Sequence, residues 1–236
     1  MAIRARPRQL SRGARDDRTT ADRVSDAVDP LETLETVTVD VLIGLLEARN
    51  YETARHARRV GEMVRLVADE LGLDPEQSAL LAEASTLHDV GKLGLPDRVL
   101  LKAGPLTVDE REKMKLHTSI GHQMLAGTRV PLLEAAAVIA WTHHERHDGS
   151  GYPRGLRGGE IPLEGRLASV VDTFDALTNV RAYRPAYPIP AAVRYLTSER
   201  DRLFDAGVVD AFHAVIDDIL ELRPDVAHTT HVPAQP

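Results

Sequence analysis

Cysteine is absent from the 236 residues. No disulfide can staple the fold and no thiolate can act as nucleophile or ligand, so any metal site must use imidazole, carboxylate and water. No apolar run approaches the roughly 20 residues that span a bilayer, and the start lacks the apolar stretch of a signal peptide. The expectation is a soluble, cytoplasmic protein without a membrane partner. A surplus of positive charge is missing as well: 29 basic against 36 acidic side chains leave a net charge of -7. That gives no general electrostatic reason to bind nucleic acid directly, and an anionic substrate would need local positive charge. What is present is a hydrophobic content of 43%, enough for one large core or two small ones.

Residues 1 to about 30 mix Arg4, Arg6, Arg8, Arg12, Arg15 and Arg18 with Asp16, Asp17 and Asp22, and are poor in large apolar groups. This composition predicts a disordered tail. Helical spacing begins at Leu31, and Val60, Val64, Val67 and Leu71 form one apolar face. Asn50 can cap that helix and Gly72 can end it. Asp74, Pro75 and Gln77 supply start signals for a helix to about His88, and Thr107 with Glu110 repeats the device before Met114–Leu125. Further helices are expected over 132–143, 163–179, 189–200 and 208–221, with a flexible tail over 223–236. No stretch keeps a strand period for long, so the fold class is all-α, with one domain over 31–222. The exception to helical patterning is Asp148-Gly-Ser-Gly-Tyr-Pro153 followed by Gly155, Gly158, Gly159 and Pro162, a long structured loop.

Five of the ten histidines stand in metal-compatible settings: His56, His88 beside Asp89, His117, and the adjacent His143 and His144. Glu52 and Asp172 join them. Glu52 and His56 are four apart on a helix, so they share a face and can reach one ion. Adjacent helical residues project about 100° apart, so His88 with Asp89, and His143 with His144, suit two neighbouring ions better than one. These pairs imply a multinuclear cluster, with Asp89 as candidate bridging ligand. His122, His213, His228 and His231 are set aside as packing or tail residues.

His88-Asp-Val-Gly-Lys92, Leu93-Gly-Leu-Pro96, His117, His143-His-Glu145, Asp148-Gly-Ser-Gly-Tyr-Pro153, Ile161-Pro162, Asp172-Thr-Phe-Asp-Ala-Leu-Thr178 and Arg181-Ala-Tyr-Arg184 succeed one another in an order that resembles the HD-GYP family. The resemblance runs from about Leu46 to Phe212. It implies a helical HD-superfamily domain that hydrolyses cyclic di-GMP to linear pGpG, GMP or both. The implied metal ligands are His56, His88, Asp89, His117, His143, His144 and Asp172. Family members with three metals resemble this chain in carrying a Glu four residues before the first His, which adds Glu52 and favours three divalent ions over two. Iron or manganese is preferred, with zinc or nickel compatible.

The expected nucleophile is a metal-activated hydroxide. Lys92, one turn from His88 and Asp89, is placed to neutralise charge on the phosphoryl oxygens; it and Asp89 are the expected catalytic side chains. By resemblance Asn50, Lys92, Tyr152, Arg181 and Arg184 face the dinucleotide, and Asp175 either faces it too or orients a ligand. A diguanylate cyclase or another signalling protein could dock on the Gly151-Tyr152-Pro153 loop. Three departures from the family pattern stand out: His147 where an aromatic usually precedes Asp-Gly, Ala182 where a proline is usual, and Ala206 after Phe204-Asp205. The alternatives are a phosphohydrolase for another cyclic dinucleotide or nucleotide, and a nonhydrolytic sensor or adaptor.

Overall fold

The structure is a computed structural model that describes residues 30–49, 51–180 and 185–223, with the side chains of 30–36 and 51–54 outside that set. The chain divides into a unit of Met1–Leu34 and one of Glu35–Pro236. Of the first unit only the opening of a helix is described, and all the other elements belong to the second.

Helix α1 (Pro30–Arg49) precedes α2 (Tyr51–Glu70) and α3 (Pro75–Ser85). A 3₁₀ turn (Val90–Gly94) and the short α4 (Asp97–Leu100) lead to α5 (Val108–Leu125) and α6 (Pro131–Thr142). A loop with a second 3₁₀ turn (Gly158–Glu160) then reaches α7 (Leu163–Thr178), α8 (Ile189–Ser198), α9 (Ala206–Ala214) and α10 (Ile216–Glu221). Among the described residues there is no strand, as the all-α reading expects, and no helix is long and apolar enough to cross a membrane.

In α2, Val60, Met63, Val64 and Val67 are fully buried at spacings of three and four. They form one stripe against Leu167, Val170 and Phe174 of α7, Leu196 of α8, Phe212 of α9 and Ile219 of α10. Each such side chain stabilises the fold by about 1.5–3 kcal/mol relative to exposure. A second cluster joins Val39 and Ile43 of α1 to Leu87, Val90, Leu125 of α5 and Leu132 and Ile139 of α6. Helix α7 serves both clusters, sending Ala168 into the second.

The stop after α2 is the expected one. Gly72 takes φ +80, and its N–H donates to the Asp69 carbonyl at 3.0 Å while Leu73 N–H reaches the Ala68 carbonyl at 3.2 Å. This paired arrangement needs a residue at ease in the left-handed region. At the start of α3, Asp74 accepts from the Gln77 N–H at 2.9 Å. At α5, Thr107 and Glu110 cap each other's backbone, and the helix therefore starts at Val108 instead of Met114.

Two further boundaries differ from expectation. Helix α3 ends at Ser85 instead of His88, where Thr86 Oγ1 donates to the Glu83 carbonyl at 2.7 Å and competes with helical pairing. The helix expected over 208–221 is two, broken at Val215 (φ -106, ψ 15); the stretch holds no Gly or Pro to mark the break, yet Phe212 and Ile219 both enter the same core.

Candidate metal centre

His88 and Asp89 lie in the turn between the end of α3 and the first 3₁₀ turn, and His143 and His144 directly follow the end of α6. The two adjacent pairs thus stand at helix ends, a correction to their expected place within helices. His117 comes from the middle of α5, His56 from the second turn of α2 and Asp172 from α7.

Three of the histidines are anchored through Nδ1. His88 donates to the Ser85 carbonyl at 2.8 Å, His117 to Met114 at 2.7 Å and His143 to Ile139 at 3.0 Å. A carbonyl can only accept, so Nδ1 carries the proton and Nε2 presents a lone pair. These lone pairs face one another: His117 Nε2 and His143 Nε2 lie 3.3 Å apart, and His88 Nε2 is buried without a hydrogen-bond partner. An unsatisfied buried acceptor costs about 1–3 kcal/mol, and a cation would relieve it. The donor set therefore fits divalent metal.

The ligand atoms form two groups. His56, His88 and Asp172 lie within 4.8 Å of one another, as do His117, His143 and His144. Asp89 reaches both, with Oδ2 3.3 Å from His88 Nε2 and Oδ1 3.4 Å from His117 Nε2. Its two oxygens thus face one group each.

Protonation favours ligation. Burial pushes the His143 pKa down to about 3 and lowers those of His117 and His144, keeping these rings neutral. Burial works to raise Asp89 and Asp172, but the Lys92 ammonium holds Asp89 low and the hydrogen bond from His56 holds Asp172 low. Burial would also lower His56, yet Asp172 and Asp175 outweigh it and push it up to about 9. A cation at His56 Nε2 would displace that proton.

Around this cluster, Lys92 Nζ pairs with Asp89. The Tyr152 ring stacks on His144 with centroids 4.8 Å apart, and Lys115 Nζ lies 5.4 Å from its centre. The 3₁₀ turn carrying Lys92 lies so close to α5 that a Cβ on Gly91 would stand 1.9 Å from the His117 carbonyl oxygen. Gly91→Ala is expected to destabilise the protein by about 1–3 kcal/mol through overpacking and to reduce metal uptake. Denaturant unfolding with metal analysis checks this, and unchanged stability would contradict the close packing.

Of the two roles open to Asp175, its burial and partners favour orienting a ligand: it is 1% exposed. Its Oδ2 accepts from His56 Nδ1 at 2.6 Å, and Arg59 grips both oxygens at 2.8 Å. Asp175 thereby fixes the orientation of the His56 ring, with Nε2 turned to Asp172 at 3.0 Å. Burial would raise its pKa, but the bonds from Arg59 and His56 hold it well below the usual range.

Asn50, Arg181, Arg184 and Ala182 lie outside the described residues, as does the side chain of Glu52. So do the N-terminal tail up to residue 29, the tail from residue 224, and His228 and His231. His122 stacks on Trp141 at 4.1 Å, while His213 is 3.3 Å from Thr197 Oγ1. His147 joins neither group of ligand atoms. Ala206 costs α9 no cap, because Asp205 accepts from Val208 N–H at 3.1 Å.

The sequence pattern gave no role to Glu145, Arg59 or Arg223. Glu145 is buried and accepts from the Arg154 and Leu156 N–H groups at 2.8 and 3.0 Å, holding the glycine-rich loop. Arg59 lies three residues after His56 on the same helical face, a spacing that could have found it. Arg223, placed by sequence in the flexible tail, is fully buried.

The family model for the HD domain matches residues 40–208. The chain is 43% identical over 189 residues to the cyclic di-GMP phosphodiesterase response regulator RpfG of Xanthomonas campestris pv. campestris, covering 80% of this chain and 50% of that one. It is 43% identical over 184 residues to a cyclic di-GMP phosphodiesterase of Thermotoga maritima, covering 78% and 50%. The chain thus spans about half the length of these relatives. The solved structure of V-cGAP3, a cyclic GMP-AMP specific phosphodiesterase of Vibrio cholerae, shares the fold with TM-score 0.57 at 17% identity, covering 84% of this chain and 56% of that one. By the extent of the domain match and the two identities, the chain belongs to the HD domain family, in its HD-GYP branch.

Proposed function

We propose that this centre hydrolyses the phosphodiester bonds of cyclic di-GMP, yielding linear pGpG, GMP or both. The observation that carries the reading is the pair of His/Asp groups joined by Asp89, the arrangement that an in-line phosphoryl displacement needs. The two relatives named as cyclic di-GMP phosphodiesterases support the choice of substrate.

Divalent ions, when bound, supply the Lewis acidity that activates water and draws charge from the phosphoryl oxygens. His88, His117 and His143 hold their lone pairs in place through Nδ1, so the site is organised before loading. Asp89 and Asp172 contribute the negative charge. The Lys92 ammonium, now on Asp89, meets charge developing on the phosphoryl oxygens. Tyr152 lines the His144 side, and burial raises its phenol pKa so that it keeps its proton. Asn50, Arg181 and Arg184 are proposed to face the dinucleotide, the arginines through bidentate contacts. A signalling partner such as a diguanylate cyclase would meet the exposed Pro153 and Arg154 of the loop.

Iron or manganese suits a mixed imidazole and carboxylate site, with geometry and not affinity deciding. A third ion would be held with Glu52, one turn before His56 on α2. Glu52→Ala is then expected to lower the metal count by about one ion and to slow opening of the linear intermediate more than ring cleavage; an unchanged count would leave two ions.

The test of substrate is incubation of metal-loaded protein with cyclic di-GMP, cyclic GMP-AMP and cyclic di-AMP, with chromatographic identification of products. Conversion of cyclic di-GMP to pGpG or GMP is expected. Turnover of cyclic GMP-AMP alone would move the substrate, and binding without turnover would make the chain a sensor.

A further inference from the structure

We infer that Arg223, the last of the described residues, is a positioning residue for the metal ligand His56 and acts through Asp175. The inference rests on the metal reading above and extends it to a residue 48 positions from Asp175 in sequence.

Arg223 follows α10, and its side chain is 1% exposed while Glu221 and Leu222 before it are exposed. Taking a guanidinium out of water costs several kcal/mol, and an apolar side chain of similar size would fill the space at lower cost. Arginine offers directed donors, which an apolar side chain lacks. Nη1 donates to Asp175 Oδ1, and Nη2 donates to Asn179 Oδ1 at 3.3 Å. Asn179 Nδ2 in turn donates to Asp175 Oδ2 at 2.8 Å. Arg223 therefore holds the carboxylate directly and through Asn179.

The elements involved give this contact its meaning. His56 and Arg59 both belong to α2, and Asp175 belongs to α7 with Asn179 at its end. Arg223 comes from a third place, beyond α10, and donates to the same Oδ1 that Arg59 Nε holds. Asp175 Oδ2 is the atom that accepts from His56 Nδ1 at 2.6 Å, and the same ring presents Nε2 to Asp172 at 3.0 Å. A small rotation of the carboxylate would turn the His56 ring away from His88 and Asp172. In the other group, His117 and His143 take their anchors from backbone carbonyls. Loss of Arg223 should therefore be felt by one group of ligands and not by the other.

The experiment is titration of the metal-free 236-residue chain with Mn²⁺ alone, comparing wild type with Arg223→Met and Arg223→Lys, with helicity followed by circular dichroism. For Arg223→Met the expected result is one Mn²⁺ site weakened about tenfold, the lower end of the roughly 10–100-fold cost of losing an outer partner of a ligand. The other site should be unchanged, and Arg223→Lys should recover part of the loss because it restores a charged donor. If Arg223→Met does not fold, Arg223→Lys carries the test with a smaller loss at one site. Equal weakening at both sites, or wild-type binding by a folded variant, would overturn the inference. Failure of the wild type to bind Mn²⁺ would instead remove the metal reading beneath it.

Discussion

Replacing His88 and Asp89 together by alanine is expected to remove bound metal and to lower turnover of cyclic di-GMP about a thousandfold or more. The ions supply several kcal/mol of charge stabilisation, at about tenfold per 1.4 kcal/mol. Asp89 is the carboxylate that reaches both ligand groups, and His88 Nε2 is the buried acceptor without a partner. Both residues stand after the end of α3, outside the two apolar clusters, so the helical fold should persist. Elemental analysis, circular dichroism and a product assay on one preparation check this. Full activity in a folded, metal-free double variant would be incompatible with the proposed chemistry.

Asp175→Asn carries the largest expected effect on stability, a loss of about 3–5 kcal/mol, the cost of leaving buried charge without its partner. The amide keeps the volume, but Arg59 and Arg223 would then point two guanidinium groups at a neutral side chain. Urea unfolding measures the difference. Because the folded pKa of Asp175 is held below its ordinary 3.8, its contribution is complete above that pH and is lost as pH falls toward the folded value. The gap between wild type and variant should therefore be full at neutral pH and narrow in acid below about pH 4. A variant as stable as wild type at pH 7 would contradict the buried network.

Much of the fold was legible because its signals are local. The α2 stripe, the Gly72 stop and the Thr107 and Glu110 cap are each decided by residues within a few positions. The clustering of the candidate ligands was legible for another reason: the order of His88-Asp89, His117, His143-His144 and Asp172 forms a pattern whether or not the geometry is known. What sequence could not supply is the state of each ring. The Nδ1 anchors of His88, His117 and His143 depend on where the preceding turn points its carbonyls. Asp175 was left between two roles because its partners Arg59 and Arg223 are 116 and 48 residues away. Arg223 sat beside Pro224 in a stretch with a tail-like composition, and only packing against Asp175 and Asn179 reveals it as folded.

The most direct measurement is to strip anaerobically purified protein with a chelator, return Fe²⁺ or Mn²⁺ in steps, and record metal content and cyclic di-GMP hydrolysis on the same samples. The expected result is no turnover in the stripped protein and activity that rises with uptake of at least two ions per chain, one for each group of ligands. Undiminished hydrolysis by protein shown to hold no metal would contradict the assignment of this centre.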